Sequence, residues 1–318
     1  MLRRNLNVGA HGLFQEIQAA SEKLRIETSC LPCGAHVLDF GIRVPGGFAA
    51  GLQLARICMA GLADVSCHVG NVHIWPGPWV QVWTDHPFEA CMLTQYAGWP
   101  VQCGKYFAMG SGPMRLKRGR EPLLVKLEIS DDSGLAVGTL ETDQMPTCEV
   151  AEYIAQECRV DVQNVFLAVA PTRSIAGCLQ VVARSVETAM HKLHELGFDI
   201  HQVVSAHGTA PLPPCTPDLA SGIGRTNDAI LYGALVTLWL SGDDDQLAEL
   251  SRQLPSCASG DYGAPFAEIF RRNDFDFYKI DPGLFSPAAI RLINLSSGNS
   301  WFFGESRSDL IAKSFGIA

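Results

Sequence analysis

Side chains that can carry proton chemistry recur at helical spacing in one stretch of the chain. In sequence order they are Gln180, Arg184, Glu187, His191 and His194. Intervals of three and four residues bring side chains onto one face of an α-helix. Apolar residues recur at the same spacing on the other face and predict that it packs on a core: Ile175, Leu179, Val182, Val186, Ala189 and Leu193.

This polar face is open to three interpretations. It is a solvated surface, or it holds a metal ion through Glu187, His191 and His194, although the H-E-x-x-H order is absent. In the third interpretation it is a site of acid–base catalysis. Arg184 and Glu187 are close enough in sequence to pair, and the guanidinium would orient the glutamate and keep it charged. A charged glutamate in a cleft can take a proton from water.

Two glycine-containing segments also have the composition of ligand-binding loops. Gly110-Ser111-Gly112-Pro113 predicts a loop whose glycines permit close approach of the backbone. The segment Gly224–Asp228 predicts the start of a helix, with Thr226 or Asn227 as its N-cap. Free N–H groups at such a helix start attract an anion.

Two short motifs are open to a structural interpretation as well as a functional one. The basic run with Arg115, Lys117 and Arg118 is either a solvated turn or a grip on the acidic tail of a ligand. Cys30 and Cys33 form a lone C-x-x-C, which without a second pair is weak evidence for zinc or redox chemistry. We interpret them as two ordinary buried thiols.

The composition disfavours several classes of function. Lys and Arg number 24 against 33 Asp and Glu, a net charge of −9, so no basic surplus is present to bind nucleic acid. No apolar run approaches the roughly 20 residues that span a membrane, and we expect no secretory signal in the first residues. The 11 scattered cysteines fit reduced thiols in a cytoplasmic protein. Phosphate-loop, G-x-G-x-x-G and G-x-S-x-G motifs are absent.

The elements that must position these residues alternate between strands and helices, and several strand pairs have the spacing of hairpins. We therefore predict an α+β fold with mixed α/β layers, not a purely parallel doubly wound sheet. A long helix is predicted over Thr172–Leu196, and another over Arg225–Leu240. The basic run is the best boundary between two domains, residues 1–115 and 116–318, with the C-terminal tail packing back on the first domain.

Taken together, these segments resemble the methenyltetrahydromethanopterin cyclohydrolase family. The matching blocks spread over about residues 95–287, and their joint order is specific. They are Gln95–Trp99, Tyr106–Pro113, Ala170–Thr172 with Ala176–Gly177, Arg184–Lys192, Ala210–Pro214, Gly224–Ile230, Phe277–Pro282 and Leu284–Pro287. Met114 is a departure, because family members often have a small residue at that position.

The resemblance implies reversible hydrolysis of the methenyl bridge of a tetrahydromethanopterin carrier to the N5-formyl form, in formaldehyde oxidation or methane metabolism. It also implies a catalytic pair of Arg184 and Glu187, two domains that flank a central pocket, a homotrimer, and neither metal nor nucleotide cofactor. Candidate substrate-binding residues are Gln95, Gly110, Ser111, Gly112, Arg225, Thr226, Asn227, Asp228, Phe285 and Ser286. Trp99, Phe107 and Phe285 are candidate walls for the pterin ring.

Three other functions compete with this one. A metal-dependent hydrolase would use Glu187, His191 and His194, and a non-catalytic pterin-binding protein would hold the substrate without converting it. The third is a cyclohydrolase that acts on folate. The absence of a dinucleotide motif separates the chain from the bifunctional folate enzymes, by analogy only.

Overall fold

The chain folds into two compact units. The computed structural model describes residues 5–96, 98–274, 276 and 279–317. The first unit consists of Met1–Ala63 and Glu89–Gln180, and the second of Asp64–Phe88 and Val181–Ala318. Each unit combines two separate stretches, so the limits of the units differ from the single boundary expected near residue 115, and the C-terminal tail belongs to the second unit. Local composition does not reveal that residues 64–88 pair with strands far along the chain.

Helices and strands account for most of the described chain. The strands are β1 (Glu27–Cys30), β2 (His36–Asp39), β3 (Asp64–Val69), β4 (Pro78–Thr84), β5 (Trp99–Cys103), β6 (Tyr106–Ser111), β7 (Ala136–Glu141), β8 (Val165–Ala170), β9 (Val203–Pro211), β10 (Leu235–Leu240), β11 (Ala289–Asn294) and β12 (Ser300–Gly304). The helices are α1 (Leu6–Ala19), α2 (Ser21–Leu24), α3 (Phe48–Cys58), α4 (Met114–Arg118), α5 (Pro122–Leu127), α6 (Cys148–Cys158), α7 (Ile175–Val182), α8 (Ser185–Glu195), α9 (Leu219–Gly233), α10 (Asp244–Gln253), α11 (Phe266–Arg272) and α12 (Ser308–Phe315).

The first unit is built on a six-stranded sheet in the order β1-β2-β8-β7-β6-β5. β2, β8 and β7 run parallel to one another. β1 pairs antiparallel with β2, β6 pairs antiparallel with β7, and β5 pairs antiparallel with β6. Every residue of β8 is buried, as is typical of a strand covered on both faces. One face packs on α1 and α3 through Phe14, Phe40 and Leu54, and the other packs on α6 through Val150 and Ile154.

The second unit contains a sheet in the order β12-β11-β10-β9-β4-β3, in which only β10 and β11 among the described pairs are parallel. The buried side of β9 faces α8, since a Cβ on Gly208 would lie 2.4 Å from the Ser185 hydroxyl. Trp83, His207 and Thr237 are directly paired across three strands and share the opposite, partly exposed side. These two mixed sheets with packed helices confirm the predicted α+β class.

The predicted helix over Thr172–Leu196 is two helices, α7 and α8, separated by a turn at Ala183 and Arg184. The Arg184 N–H donates to the Val181 carbonyl at 3.1 Å, an i→i+3 bond that tightens the end of α7. The Thr188 N–H then donates to the Arg184 carbonyl and starts α8. The residue pattern keeps the same period on both sides of the turn, so periodicity does not reveal the break.

The predicted helix over Arg225–Leu240 is wrong in its second half. The helix α9 ends at Gly233, and Leu235–Leu240 is the strand β10, paired with β9 on one side and β11 on the other. A run of apolar residues suits a buried strand as well as a buried helix, and here the pairing partners decide between them. Within the described ranges no helix has the length and apolar character needed to cross a membrane.

Candidate active site

The arginine and glutamate singled out by the sequence form an ion pair at the start of α8. The Nε of Arg184 donates to Oε2 of Glu187 at 3.3 Å. The Glu187 side chain is 7 % exposed and that of Arg184 is 18 % exposed. The interpretation of this face as a solvated surface is therefore wrong at Glu187. A charge that is withdrawn from water needs a partner, and Arg184 supplies it.

The position of the pair within the helix adds a second favourable interaction with the carboxylate. Arg184 is the N-cap residue of α8, and Glu187 lies in its first turn. The unpaired N–H groups of a first turn carry partial positive charge, which attracts a carboxylate. The guanidinium and the helix terminus therefore both attract the Glu187 carboxylate.

The apolar side of α8 fixes the helix to the sheet of the second unit. Val186, Ala189 and Leu193 are fully buried, and α8 contacts β4, β9 and β10. Gly208 of β9 has no room for a Cβ against Ser185, so the backbone of the strand lies close to the first turn of the helix. Glu187 is thus carried by a rigid element and not by a loop.

The histidines farther along α8 give no support to a metal site. Nε2 of His191 lies 3.6 Å from Oε1 of Glu195, one turn away from Glu187. Among the residues that the structure describes, no group of three or more His, Cys, Asp or Glu side chains is arranged to hold a metal ion. The geometry therefore does not favour the alternative of a metal-dependent hydrolase on Glu187, His191 and His194.

In the first unit, the predicted residues Gln95, Ser111 and Gly112 lie in one buried polar region. Gln95 is fully buried, and the carbonyl of the preceding residue, Thr94, accepts the Gly112 N–H at 2.8 Å. The Ser111 hydroxyl lies 2.7 Å from that of Thr139. The segment that carries Gln95 therefore lies beside Ser111 and Gly112.

Sequence reasoning missed the rest of this polar region. The Ser111 hydroxyl also lies 3.3 Å from the Cys58 thiol, and the Gln180 amide donates to the same sulfur at 3.5 Å. Gln180 was predicted to share a face with Glu187, but Cys58 carries no local signal, because it is 122 residues away from Gln180.

The glycines of the predicted Gly110–Pro113 loop serve close packing within the first unit. Gly110 and Ser111 belong to β6, so the strand runs two residues farther than expected. Gly112 has φ +92°, a left-handed conformation that favours glycine, and a Cβ there would lie 3.2 Å from the Gly138 backbone. The close approach that Gly112 permits is therefore between two segments of the chain itself, the residue after β6 and the strand β7.

The predicted residues Arg225–Asp228 lie in the middle of α9. The helix begins at Leu219 with Asp218 as its N-cap, so the expectation of a helix start at Thr226 or Asn227 is wrong. Each of the first three side chains bonds to backbone carbonyls. Arg225 donates to Ser314 and Pro214, and Thr226 and Asn227 donate to the preceding turn of their own helix.

Asp228 joins three helices of the second unit. Its buried carboxylate accepts the Phe266 N–H of α11 at 2.7 Å and the Ser314 hydroxyl of α12 at 2.6 Å. Burial raises the pKa of Asp228 to about 7, the charge of Glu268 adds to this, and the two hydrogen bonds oppose it. The residue therefore has a structural role that the sequence did not reveal.

The last two predicted residues are also tied into the second unit. Phe285 is half-buried and packs edge-on against Phe266 with a centroid distance of 5.8 Å. The buried Ser286 hydroxyl donates to the Leu254 carbonyl. Phe266 thus links Phe285 with Asp228. Of the other two candidate walls, Trp99 is buried in the core of the first unit and Phe107 is half-exposed.

The basic run forms bonds within the first unit. Arg115 is buried with Glu121 at 2.9 Å, and Lys117 donates to backbone carbonyls of Asp131 and Ser133. Arg118 and Arg120 both pair with one carboxylate, Glu157. The expectations of a solvated turn and of a grip on an acidic ligand do not fit these contacts. Of the C-x-x-C thiols, expected to be buried, Cys30 is exposed and Cys33 is half-buried.

Comparisons with known proteins point to the same family over nearly the whole chain. The family model described as Cyclohydrolase (MCH) matches residues 5–315. A methenyltetrahydromethanopterin cyclohydrolase of Rhodopirellula baltica is 51 % identical over 289 residues, 89 % of this chain and 87 % of the relative. The proteins of the same name from Methylobacillus flagellatus and Methanocaldococcus jannaschii are 42 % and 41 % identical, over 96 % and 98 % of their own lengths and 99 % and 98 % of this chain.

Most of the blocks that carried the resemblance lie in the described chain, although Ala97, Phe277 and Tyr278 fall outside it. The family model covers all of these blocks, and the similarity to the relatives extends over nearly the full chain. The chain therefore belongs to the methenyltetrahydromethanopterin cyclohydrolase family.

Proposed function

We propose that this chain is an enzyme that reversibly hydrolyses N5,N10-methenyl-tetrahydromethanopterin to the N5-formyl form. Three relatives carry the name of this activity, and each is similar to the chain over most of its own length. The observation that carries the mechanism is the buried Arg184–Glu187 pair on a rigid helix start. A carboxylate that is protected from bulk water and held in place is suited to act on one substrate-bound water.

The chemistry of the substrate explains what the protein must supply. A methenyl bridge between two nitrogens is an amidinium-like cation and is already electrophilic. The reaction therefore lacks only a positioned water from which a proton is removed. In the proposed step Glu187 takes that proton while the water oxygen bonds to the bridge carbon, help that is typically worth ~10²–10⁴ in rate.

The charge of Glu187 also attracts the cation. For opposite charges at roughly 4 Å and an effective dielectric constant near ~20, this attraction is about 4 kcal/mol. Only the part that grows toward the transition state accelerates the reaction, because attraction to the bound substrate also stabilises the ground state. We therefore assign most of the rate effect of Glu187 to proton transfer.

Arg184 and the proton complete the cycle. The guanidinium holds the carboxylate in place and can hold the water beside it. The tetrahedral adduct then breaks one C–N bond, and protonated Glu187 returns its proton to the leaving nitrogen. The hydroxyl of the adduct loses its proton to solvent as the formyl C=O forms. The cation and one water therefore give the neutral formyl product and one proton, and Glu187 ends as it began.

Three further properties belong to the proposal through the resemblance. The reaction needs no metal or nucleotide, because the substrate is an activated cation before it binds. The protein is a homotrimer, and it works in the cytoplasm. A pterin is its ligand, and the acidic net charge of −9 supports the absence of nucleic acid as a partner.

A spectrophotometric assay with two substrates tests the function. Purified protein is mixed with methenyl-tetrahydromethanopterin or methenyl-tetrahydrofolate, and the near-ultraviolet absorbance of the methenyl group is followed. We expect rapid loss of absorbance with the first and little with the second, with full activity after chelation. Binding without any change in absorbance would identify a carrier, preference for the folate would change the substrate, and loss of activity on chelation would favour the metal-dependent alternative.

A further inference from the structure

A buried lysine that the proposed mechanism does not use lies on the same helix as Glu187. Lys192 is 9 % exposed, and its Nζ donates to the Gly283 carbonyl at 3.0 Å. Burial lowers the pKa of Lys192, and the charges of Asp281 and Glu195 oppose this shift. A long cationic side chain is rarely placed in such a position unless its ammonium group has a fixed partner.

The partner of Lys192 is a tightly bonded turn. Asp281 accepts the Gly283 N–H at 2.9 Å through Oδ1 and the Ser259 hydroxyl at 2.5 Å through Oδ2. The Asp281 N–H donates to Asp261 at 2.8 Å. The turn Pro282–Leu284 is therefore held from within and from the neighbouring loop, and Lys192 ties it to α8.

The Nζ of Lys192 occupies the place that a side chain at position 283 would take, so a larger residue there would push the ammonium away. A Cβ on Gly283 would lie 2.5 Å from Nζ of Lys192 and 3.1 Å from Oδ1 of Asp281. The glycine is therefore what lets the ammonium reach the carbonyl. This gives two independent ways to break one contact, from the lysine and from the glycine.

The turn leads directly into Phe285 and Ser286. Lys192 follows Glu187 by five residues, which corresponds to about 7.5 Å along the helix axis. We propose that Lys192 is a positioning residue that fixes the segment Asp281–Ser286 to the helix that carries Glu187. The proposal rests on the proposed function, in which Glu187 is the base, and on the expectation from the sequence that Phe285 is a wall for the pterin ring.

The Lys192→Met variant keeps the length and apolar stem of the side chain and removes the ammonium. We expect KM for methenyl-tetrahydromethanopterin to rise about tenfold while kcat changes by less than about threefold, because a displaced wall weakens binding more than chemistry. We also expect faster amide hydrogen exchange in residues 281–286 and unchanged exchange in α12. Lys313→Met is the matched control, since Lys313 is an exposed lysine of α12 that pairs with Glu268 of α11.

The Gly283→Ala variant attacks the same contact from the other side. It should show the same rise in KM, and the double variant should be no worse than either single one, because both remove one interaction. A rise of about a hundredfold in the double variant would show two independent effects and overturn the proposal. Gly12→Ala is the control, because a Cβ on Gly12 meets nothing within 4 Å.

The remaining outcomes separate the proposal from the proposed function. Unchanged exchange in residues 281–286 overturns the anchoring by Lys192, whatever the activity. Faster exchange with unchanged KM leaves a purely structural contact and overturns the positioning role. A wild-type protein that does not convert the substrate overturns the proposed function, while the exchange data still report on the anchor.

Discussion

At the scale of single residues, the distinctive feature is a carboxylate that is buried but paired. Most glutamates on helix surfaces lie in water, where an ion pair with a neighbour contributes little. Glu187 is instead 7 % exposed and has a guanidinium and a helix N-terminus beside it. The arrangement holds one acidic group in a defined orientation where few waters can reach it.

We expect Glu187→Gln to abolish most turnover. The amide has the same shape but cannot accept a proton from water, so kcat should fall by roughly 10²–10⁴ while the substrate still binds. Steady-state kinetics, substrate binding and a thermal unfolding curve check this. Glu195→Gln, on the same helix with 46 % of its side chain exposed, is the control and should keep its activity. Near-normal hydrolysis by Glu187→Gln would remove this residue from the mechanism.

Arg184→Lys and Arg184→Ala test the partner of the carboxylate. Lysine keeps the charge but loses the planar guanidinium, so we expect kcat to fall by at least about tenfold and the alanine variant to lose more. The alanine variant also leaves a buried charge unpaired, which typically costs about 3–5 kcal/mol of stability. The measurements are kcat and the unfolding free energy, with Arg173→Ala as control, since the Arg173 side chain is 39 % exposed and pairs with Asp143 in the first unit. Equal activity of all variants would contradict the assigned role.

At the scale of elements, glycines and buried polar side chains set how closely helices and strands approach. Gly208 brings β9 against the first turn of α8, and Gly112 brings the end of β6 against β7. Asp228 joins α9 to α11 and α12. Each of these contacts involves or adjoins a residue of the predicted site, so the shape of the site depends on them.

Gly112→Ala should destabilise the first unit. Alanine at φ +92° is strained, and its Cβ would lie 3.2 Å from the Gly138 backbone. We expect a loss of about 1–3 kcal/mol in the free energy of unfolding in urea. Gly134→Ala is the matched control, because a Cβ there meets nothing within 4 Å. A loss of the same size in both variants would show that the conformation of Gly112 is not the cause.

Asp228 should make the protein less stable as the pH rises. Its pKa is about 7 in the folded chain and near 3.8 in a free side chain. Between these values the folded state binds more protons than the unfolded state, so the free energy of unfolding falls as pH increases from about 4 to 7. Below about pH 4 the stabilisation of the folded state that comes from the raised pKa of Asp228 is fully present.

The Asp228→Asn variant isolates this effect. Asparagine can still accept the Phe266 N–H and can donate to the Ser314 hydroxyl, but it does not ionise. We therefore expect the fall in unfolding free energy between about pH 4 and 7 to be shallower in the variant, by an amount on the order of a few kcal/mol. Urea unfolding at a series of pH values measures it. Parallel curves for the two proteins would contradict the raised pKa.

At the scale of the whole molecule, the chain forms two units, each completed by a stretch from a distant part of the sequence. The proposed homotrimer is a property of this scale, and the family resemblance is its basis. Light scattering coupled to size exclusion should give three times the chain mass, and the value should hold over a dilution series. A mass of one chain at all concentrations would contradict the trimer.

Local patterns in the chain were sufficient for several conclusions. The mixed α+β class, the helical stretch around residues 175–195 and the pairing of Arg184 with Glu187 all follow from spacing within a few residues. They succeed because helix periodicity and i,i+3 proximity are local properties. The family resemblance likewise rests on the order of short blocks.

Other features depend on partners far away in sequence, and no local pattern contains them. Leu235–Leu240 is a strand because β9 and β11 pair with it. The burial of Glu187 is likewise a property of the folded chain that the helical spacing does not contain. Lys192 looks like one more surface charge until Gly283, 91 residues away, is seen to accept its hydrogen bond. Burial and the identity of hydrogen-bond partners arise from packing between distant segments, and they are what distinguish a reactive carboxylate or an anchoring lysine from an ordinary one.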